Sequence, residues 1–146
     1  MSQAVKEAAV QYLETHRTLH LGTVSSGGQP MVATVSHVSE GLTVYFMADS
    51  RTRKVANISR ERRVAFSVTE EYGDWMEIRG VQAQGTASRV TDEAEAARVH
   101  RLFAAKFPQV ADLPAEADMV LFKITPTLVH FIDNTVSFGH RDIIEP

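Results

Sequence analysis

PMVATVSHVSEGLTVYFMADS, residues 30–50, is the stretch whose reading decides the architecture. Residues 31–38 are rich in β-branched side chains and extended in pattern. Ser39-Glu40-Gly41 is a tight turn, and residues 42–48 (LTVYFMA) make a compact apolar strand. Just upstream, Leu19, Leu21 and Thr23 alternate with His20, Gly22 and Val24, which is the period of a strand. Ser26-Gly27-Gly28-Gln29-Pro30 turns that strand into the next. Three strands joined by two short turns form an antiparallel meander, because a parallel βαβ unit needs a helical crossover.

Working outward, residues 3–16 place Ala4, Val5, Ala8, Ala9, Tyr12 and Leu13 on one stripe at helical spacing. After the meander, Asp49 or Ser50 can cap a short helix over residues 52–60, with Val55 and Ile58 on its inner face. Residues 64–69 read as a fourth strand and 70–74 as a loop. Residues 75–90 read as a long fifth strand interrupted by Gly80 and Gly85, where bulges or close backbone approaches are expected. Thr91-Asp92 opens a second long amphipathic helix that ends before Pro108, and residues 119–125 and 128–132 are two last strands divided by Pro126. The pattern predicts one domain over residues 1–146: mainly β with peripheral helices, a six- to seven-stranded antiparallel barrel.

Composition bounds the chemistry. The 146 residues contain no cysteine, which excludes disulfides, thiolate metal sites, iron–sulfur clusters and cysteine nucleophiles. No apolar run approaches a membrane span, and the first helix lacks the layout of a signal peptide. A soluble cytoplasmic protein without a membrane partner is expected. The net charge of −3 weighs against a nucleic-acid partner. That balance hides a local island: Arg51, Arg53, Lys54, Arg60, Arg62 and Arg63 are opposed only by Glu61.

No nucleophile elbow, P-loop or dinucleotide fingerprint is present. His16 and His20 are four apart but straddle a helix-to-strand junction, so no metal site is expected. His37 reads as a strand residue with a local hydrogen bond. The first part of the island is different. Arg51-Thr52-Arg53-Lys54 combines a strand end, a helix start, a hydroxyl and basic side chains, and free helix N–H groups with arginine forks suit a phosphate. Arg60, Arg62 and Arg63 read as a solvated basic face.

In their order and spacing, G-Q-P, the E-G turn, L-T-V-Y-F-M-A, T-R-K-V-A-N-I and E-R-R-V-A-F-S-V resemble the FMN-binding split-barrel superfamily of pyridoxamine 5′-phosphate oxidase. Trp75-Met76-Glu77-Ile78-Arg79-Gly80 and Gly85-Thr86-Ala87 extend the resemblance. It implies a homodimer of split barrels with FMN at the interface and a small-molecule substrate. Val32, Ala33, Thr34 and Val35, with Met47 and Ala48, would line the isoalloxazine and ribityl chain. Thr52, Arg53 and Lys54 would take the phosphate, Arg79 would reach the cofactor or the partner subunit, and Trp75 would pack at the interface or in the core. The resemblance names no catalytic side chain.

Departures from the oxidase pattern narrow the reaction. Its basic residue early in strand two and its lysine at the strand's end align with Ala33 and Val38 here, its flavin-touching glutamine with Gly80, and its proline before R-V with Arg62. The W-x-E-I-R-G form is closer to the small flavin- or deazaflavin-dependent reductases of the superfamily. A phosphorylated substrate needs a second cationic clamp, and Arg79, His140 and Arg141 look scattered along the chain. A neutral or aromatic planar substrate is therefore expected. A deazaflavin cosubstrate, or a non-catalytic flavin or haem carrier, are the alternatives of the same fold.

Overall fold

The computed structural model describes residues 3–146. Three helices and seven strands alternate: α1 (Gln3–Thr15), β1 (Thr18–Val24), β2 (Pro30–Glu40), β3 (Thr43–Asp49), α2 (Arg53–Arg60), β4 (Arg63–Val68), β5 (Arg79–Arg89), α3 (Glu93–Lys106), β6 (Met119–Asp133) and β7 (Arg141–Ile144). The strands are antiparallel in the order β3-β2-β1-β4-β5-β6-β7, and β3 also pairs with β6. That last pairing closes a six-stranded barrel, with β7 added outside it on the second half of β6. The barrel with peripheral helices read from the sequence is the fold observed.

The strand period sets which side chains go inside. Leu19 and Leu21 of β1, Val35 of β2, Val44 and Phe46 of β3, and Phe122 and Ile124 of β6 fill the interior. Phe46 and Phe122 stack there with ring centroids 5.2 Å apart. Each such side chain contributes about 1.5–3 kcal/mol by leaving water. From α1, Ala9, Tyr12 and Leu13 join this core, and Ile58 joins it from α2. α3 lies outside the wall, where Val99, Phe103 and Phe107 pack on Val38, Tyr45 and Leu121. This second layer explains why β2 and β3 also carry apolar residues on their outer face.

Four local expectations need correction. Residues 119–133 form one strand, although Pro126 lies within it. β3 pairs with β6 only as far as Ile124, and β7 joins only from Val129, so on that edge Pro126 faces no strand that requires its missing N–H. On the other edge the register slips between Gln84 and Gly85, setting Gly85 opposite Pro126. The fifth strand starts at Arg79, and Trp75–Glu77 form a 3-10 turn whose Met76 N–H donates to the Asp74 carboxylate at 2.8 Å. Neither Asp49 nor Ser50 caps α2: the N-cap is Thr52, whose hydroxyl donates to the Asp49 carbonyl. The seventh strand follows a turn around Gly139, which has φ +78°.

Candidate functional site

The basic island sorts into committed and uncommitted cations. Arg51 grips the carboxylate of Asp49 through Nε and Nη2, at 2.8 and 2.6 Å. Those hydrogen bonds hold the Asp49 carboxyl well below the usual carboxylate range. Arg63 pairs with Glu61 at 2.5 Å. Arg60 donates to Asn57 Oδ1, and Arg62 to the carbonyl of Ala87. Among the described residues, the side chains of Arg53 and Lys54 have no protein acceptor or anion. They open α2, where helix N–H groups also lack partners.

Lys54 reaches the edge of a cavity of about 380 Å³ on the outer side of the barrel wall. β2 supplies Thr34, Val35 and Ser36, β3 supplies Met47, Ala48 and Asp49, and the end of α3 closes the far side with Phe103 and Phe107. The alternation of β2 turns Thr34 and Ser36 outward and buries Val35 and His37. Docking of α3 is fixed by the Tyr45 hydroxyl, which donates to Glu95 Oε2 at 2.7 Å, and by Lys123, 3.0 Å from the same oxygen. One wall is polar with a free cation and the other is aromatic, which suits a flat ligand with an anionic tail.

Thr34, Val35, Met47, Ala48 and Lys54 thus meet around one space, with Thr52 and Arg53 beside Lys54 at the start of α2. Val32 is 76% exposed and lines a neighbouring depression instead, and Ala33 belongs to the inward set of β2. Arg79 lies elsewhere. It starts β5 at the barrel end covered by α1, with its guanidinium over the rings of Tyr12 and Phe131 and Nε 3.8 Å from Asp133. Trp75 is 74% exposed and packs in no core. The wall made by Phe103, Phe107 and Leu113 was not anticipated, although two phenylalanines four apart at a helix end, just before Pro108, are a signal for it.

The same end of the molecule as Arg79 carries a second polar network. The His16 ring stacks on Tyr12, and its Nε2 lies 2.6 Å from Glu70. Lys106 donates to the carbonyl of His16 at 2.5 Å, satisfying the end of α1, and burial pushes its amine down to about 8. Among the described residues no His, Asp or Glu cluster is placed to hold a metal ion, and no helix is long and apolar enough to cross a membrane.

Comparison with known proteins gives these features a context. The model of the pyridoxamine 5′-phosphate oxidase family matches residues 5–133. A UPF0306 protein of Klebsiella pneumoniae (strain 342) is 30% identical over 97 residues, 66% of this chain but 63% of that protein. The match therefore spans less than two thirds of the relative's own length. Among solved structures, a heme binding protein from Mycobacterium smegmatis superposes with TM-score 0.81 at 15% identity, covering 99% of this chain and 59% of that one. HutZ, a heme storage protein from Vibrio cholerae, gives 0.71 at 20% identity, over 84% of this chain and 89% of that one. General Stress Protein 26 from Bacillus anthracis gives 0.73 at 20% identity, over 99% and 100%. At such identities the likeness is one of fold. The family match runs through the whole barrel and both strands that wall the cavity, and the chain belongs to the pyridoxamine 5′-phosphate oxidase family.

Proposed function

We propose that the cavity between β2, β3 and the end of α3 holds FMN, and that the protein is a flavin-dependent oxidoreductase acting on a small planar substrate. The observation that carries this reading is the pair Arg53 and Lys54. They are cations without protein partners at the start of α2, and Lys54 borders the same space as Thr34, Met47 and Ala48. A phosphate there gains charge-assisted hydrogen bonds from both side chains and from helix N–H groups. The apolar face formed by Phe103, Phe107, Val110 and Met119 suits an aromatic ring system. A bound flavin supplies hydride transfer, and the protein contributes orientation and exclusion of water. A phosphorylated deazaflavin satisfies the same contacts.

The haem proteins of the same fold motivate a second reading. A haem needs an axial ligand, typically histidine, methionine, cysteine or tyrosine. Met47 and Met119 are the only such donors lining the cavity among the described residues, and no histidine does. The donor set therefore favours flavin over haem. Addition of FMN to the purified protein separates the two: quenched flavin fluorescence with saturable, stoichiometric binding supports the proposal. A Soret band from added haemin, with no FMN binding, supports the haem reading.

A further inference from the structure

Away from that cavity, α1, β2 and α3 meet around Lys106. Its Nζ donates to two carbonyls at the end of α1, that of His16 at 2.5 Å and that of Leu13 at 3.5 Å. The Leu13 carbonyl also accepts from Nε2 of His37, buried on β2. Beside the amine runs an open groove of about 370 Å³, lined by Glu14 of α1, Val38 and Ser39 of β2, and Leu102 and Ala105 of α3. None of these groove residues lines the cavity between β2, β3 and the end of α3.

The charges around this amine are unusual for a lysine. Among the described residues no carboxylate pairs with it, although Glu14 lines the same groove. Arg17 stands beside it instead. The Arg17 guanidinium lies 4.6 Å and Lys106 Nζ 5.8 Å from the centre of the Phe107 ring, and the only protein acceptor of Arg17 among the described residues is the Lys106 carbonyl. Two cations therefore share one aromatic ring, and one of them is half-buried. Both effects favour the neutral amine, with burial the larger, and the Glu14 charge offsets only part of them. A neutral amine keeps its two hydrogens on the Leu13 and His16 carbonyls and turns its lone pair away from them. The chain's other lysines differ: Lys6 is exposed, Lys54 opens α2, and Lys123 is paired with Glu95.

We propose that Lys106 is an acylation site that takes short acyl groups from acyl phosphates, with Arg17 holding the phosphate and the groove of Val38, Leu102 and Ala105 taking the acyl chain. The uncharged nitrogen attacks the carbonyl carbon, forming the N–C bond of an amide. The C–O bond to phosphate breaks, inorganic phosphate leaves with the electron pair, and the proton shed by nitrogen passes to water. No oxidant or reductant is needed. A guanidinium without a carboxylate partner suits the phosphate, and a half-desolvated amine is the activated form of a lysine nucleophile. With the Lys106 amine at about 8, about half of it is neutral at pH 8, against less than about 1% of an ordinary lysine.

Incubation of the native protein with butyryl phosphate from about pH 7 to pH 9, with each site followed by peptide mass spectrometry, tests the proposal. At pH 8 Lys106 is expected to be acylated at least about fivefold faster than the exposed Lys6. Its rate should climb to about pH 8 and then level off, whereas an ordinary amine is still gaining its neutral form. Lys106→Arg keeps the cation at the end of α1 and is expected to remove the fast site while the rates at Lys6 and Lys54 stay the same. Arg17→Gln is expected to slow Lys106 about threefold or more and to move the bend of its profile to higher pH, because a neighbouring cation is gone. Acylation of Lys106 no faster than that of Lys6 overturns the proposal. So does faster acylation of Lys54, which would seat the acyl phosphate at the start of α2, and an Arg17→Gln protein acylated at Lys106 as fast as the native one overturns the role of Arg17.

Discussion

His37 shows what a single inward residue costs and what it holds. It is fully buried on β2, and its Nε2–H donates to the Leu13 carbonyl at 2.9 Å, while Nδ1 faces no polar partner. Burial, with the nearby Lys106 charge, pushes its pKa down to about 4. In the unfolded chain histidine titrates near 6.5. Between those values the unfolded state binds a proton that the folded state refuses. The stabilisation is complete above about pH 6.5 and is lost as pH falls to about 4, by roughly 3 kcal/mol in total. Urea unfolding from pH 7 to 4 is expected to show that loss, and His37→Gln to flatten this part of the profile; an unchanged slope in the variant would remove His37 as its source. The sequence shows a histidine between Ser36 and Val38 on a strand, and the period of two marks it as inward with Val35. Its partner, Leu13, sits on another element, so spacing could not reveal it and suggested a local bond.

At the scale of elements, the barrel's closure turns on β6, which serves β3 with its first half and β7 with its second while β5 runs along the other edge. Reading β6 as two strands followed from Pro126, because proline usually ends a ladder. The partner strands that make proline tolerable there are distant in sequence and invisible in it. Gly85 was legible as a close approach, and the structure supplies the neighbour: a Cβ would lie 2.5 Å from the Thr125 carbonyl oxygen and 2.9 Å from Pro126 Cα. Both obstacles are backbone, so relief requires β5 and β6 to separate. Gly85→Ala is expected to cost about 2 kcal/mol or more in chemical denaturation, whereas Gly27→Ala, where a Cβ meets nothing within 4 Å, is expected to be near neutral. Equal stability of the two variants would contradict the crowding at the bulge. For α2 the basic residues were legible, but which of them remain free was not. That depends on Asp49 and Glu61 folding back onto Arg51 and Arg63.

For the whole molecule, the exposed apolar side chains motivate the proposal that the chain pairs with a second copy of itself. Val32, Trp75, Val136 and Phe138 are all more than 60% exposed. Asn134 fixes the turns that carry three of them, donating to the Trp75 carbonyl at 2.7 Å and accepting from the Gly139 N–H at 2.9 Å. Rigid turns that display large apolar groups are expected at an interface, and a homodimer that covers them should bury at least about 1,200 Å². Sedimentation at micromolar concentration is expected to give twice the 16.2 kDa of the chain, and a 16.2 kDa species that retains flavin would contradict the dimer. The barrel and the basic start of α2 could be read from local patterns, whereas the aromatic wall from α3 depends on how distant strands are ordered. The flavin reading is tested most directly by titrating FMN into the native protein and into Arg53→Ala/Lys54→Ala. Each charge-assisted contact contributes about 1.5–3 kcal/mol, so the double variant is expected to bind at least about a hundredfold more weakly. Its unfolding midpoint should stay unchanged, because alanine suits the first turn of a helix and neither side chain has a protein partner among the described residues. FMN binding of equal affinity in both proteins would contradict the assignment.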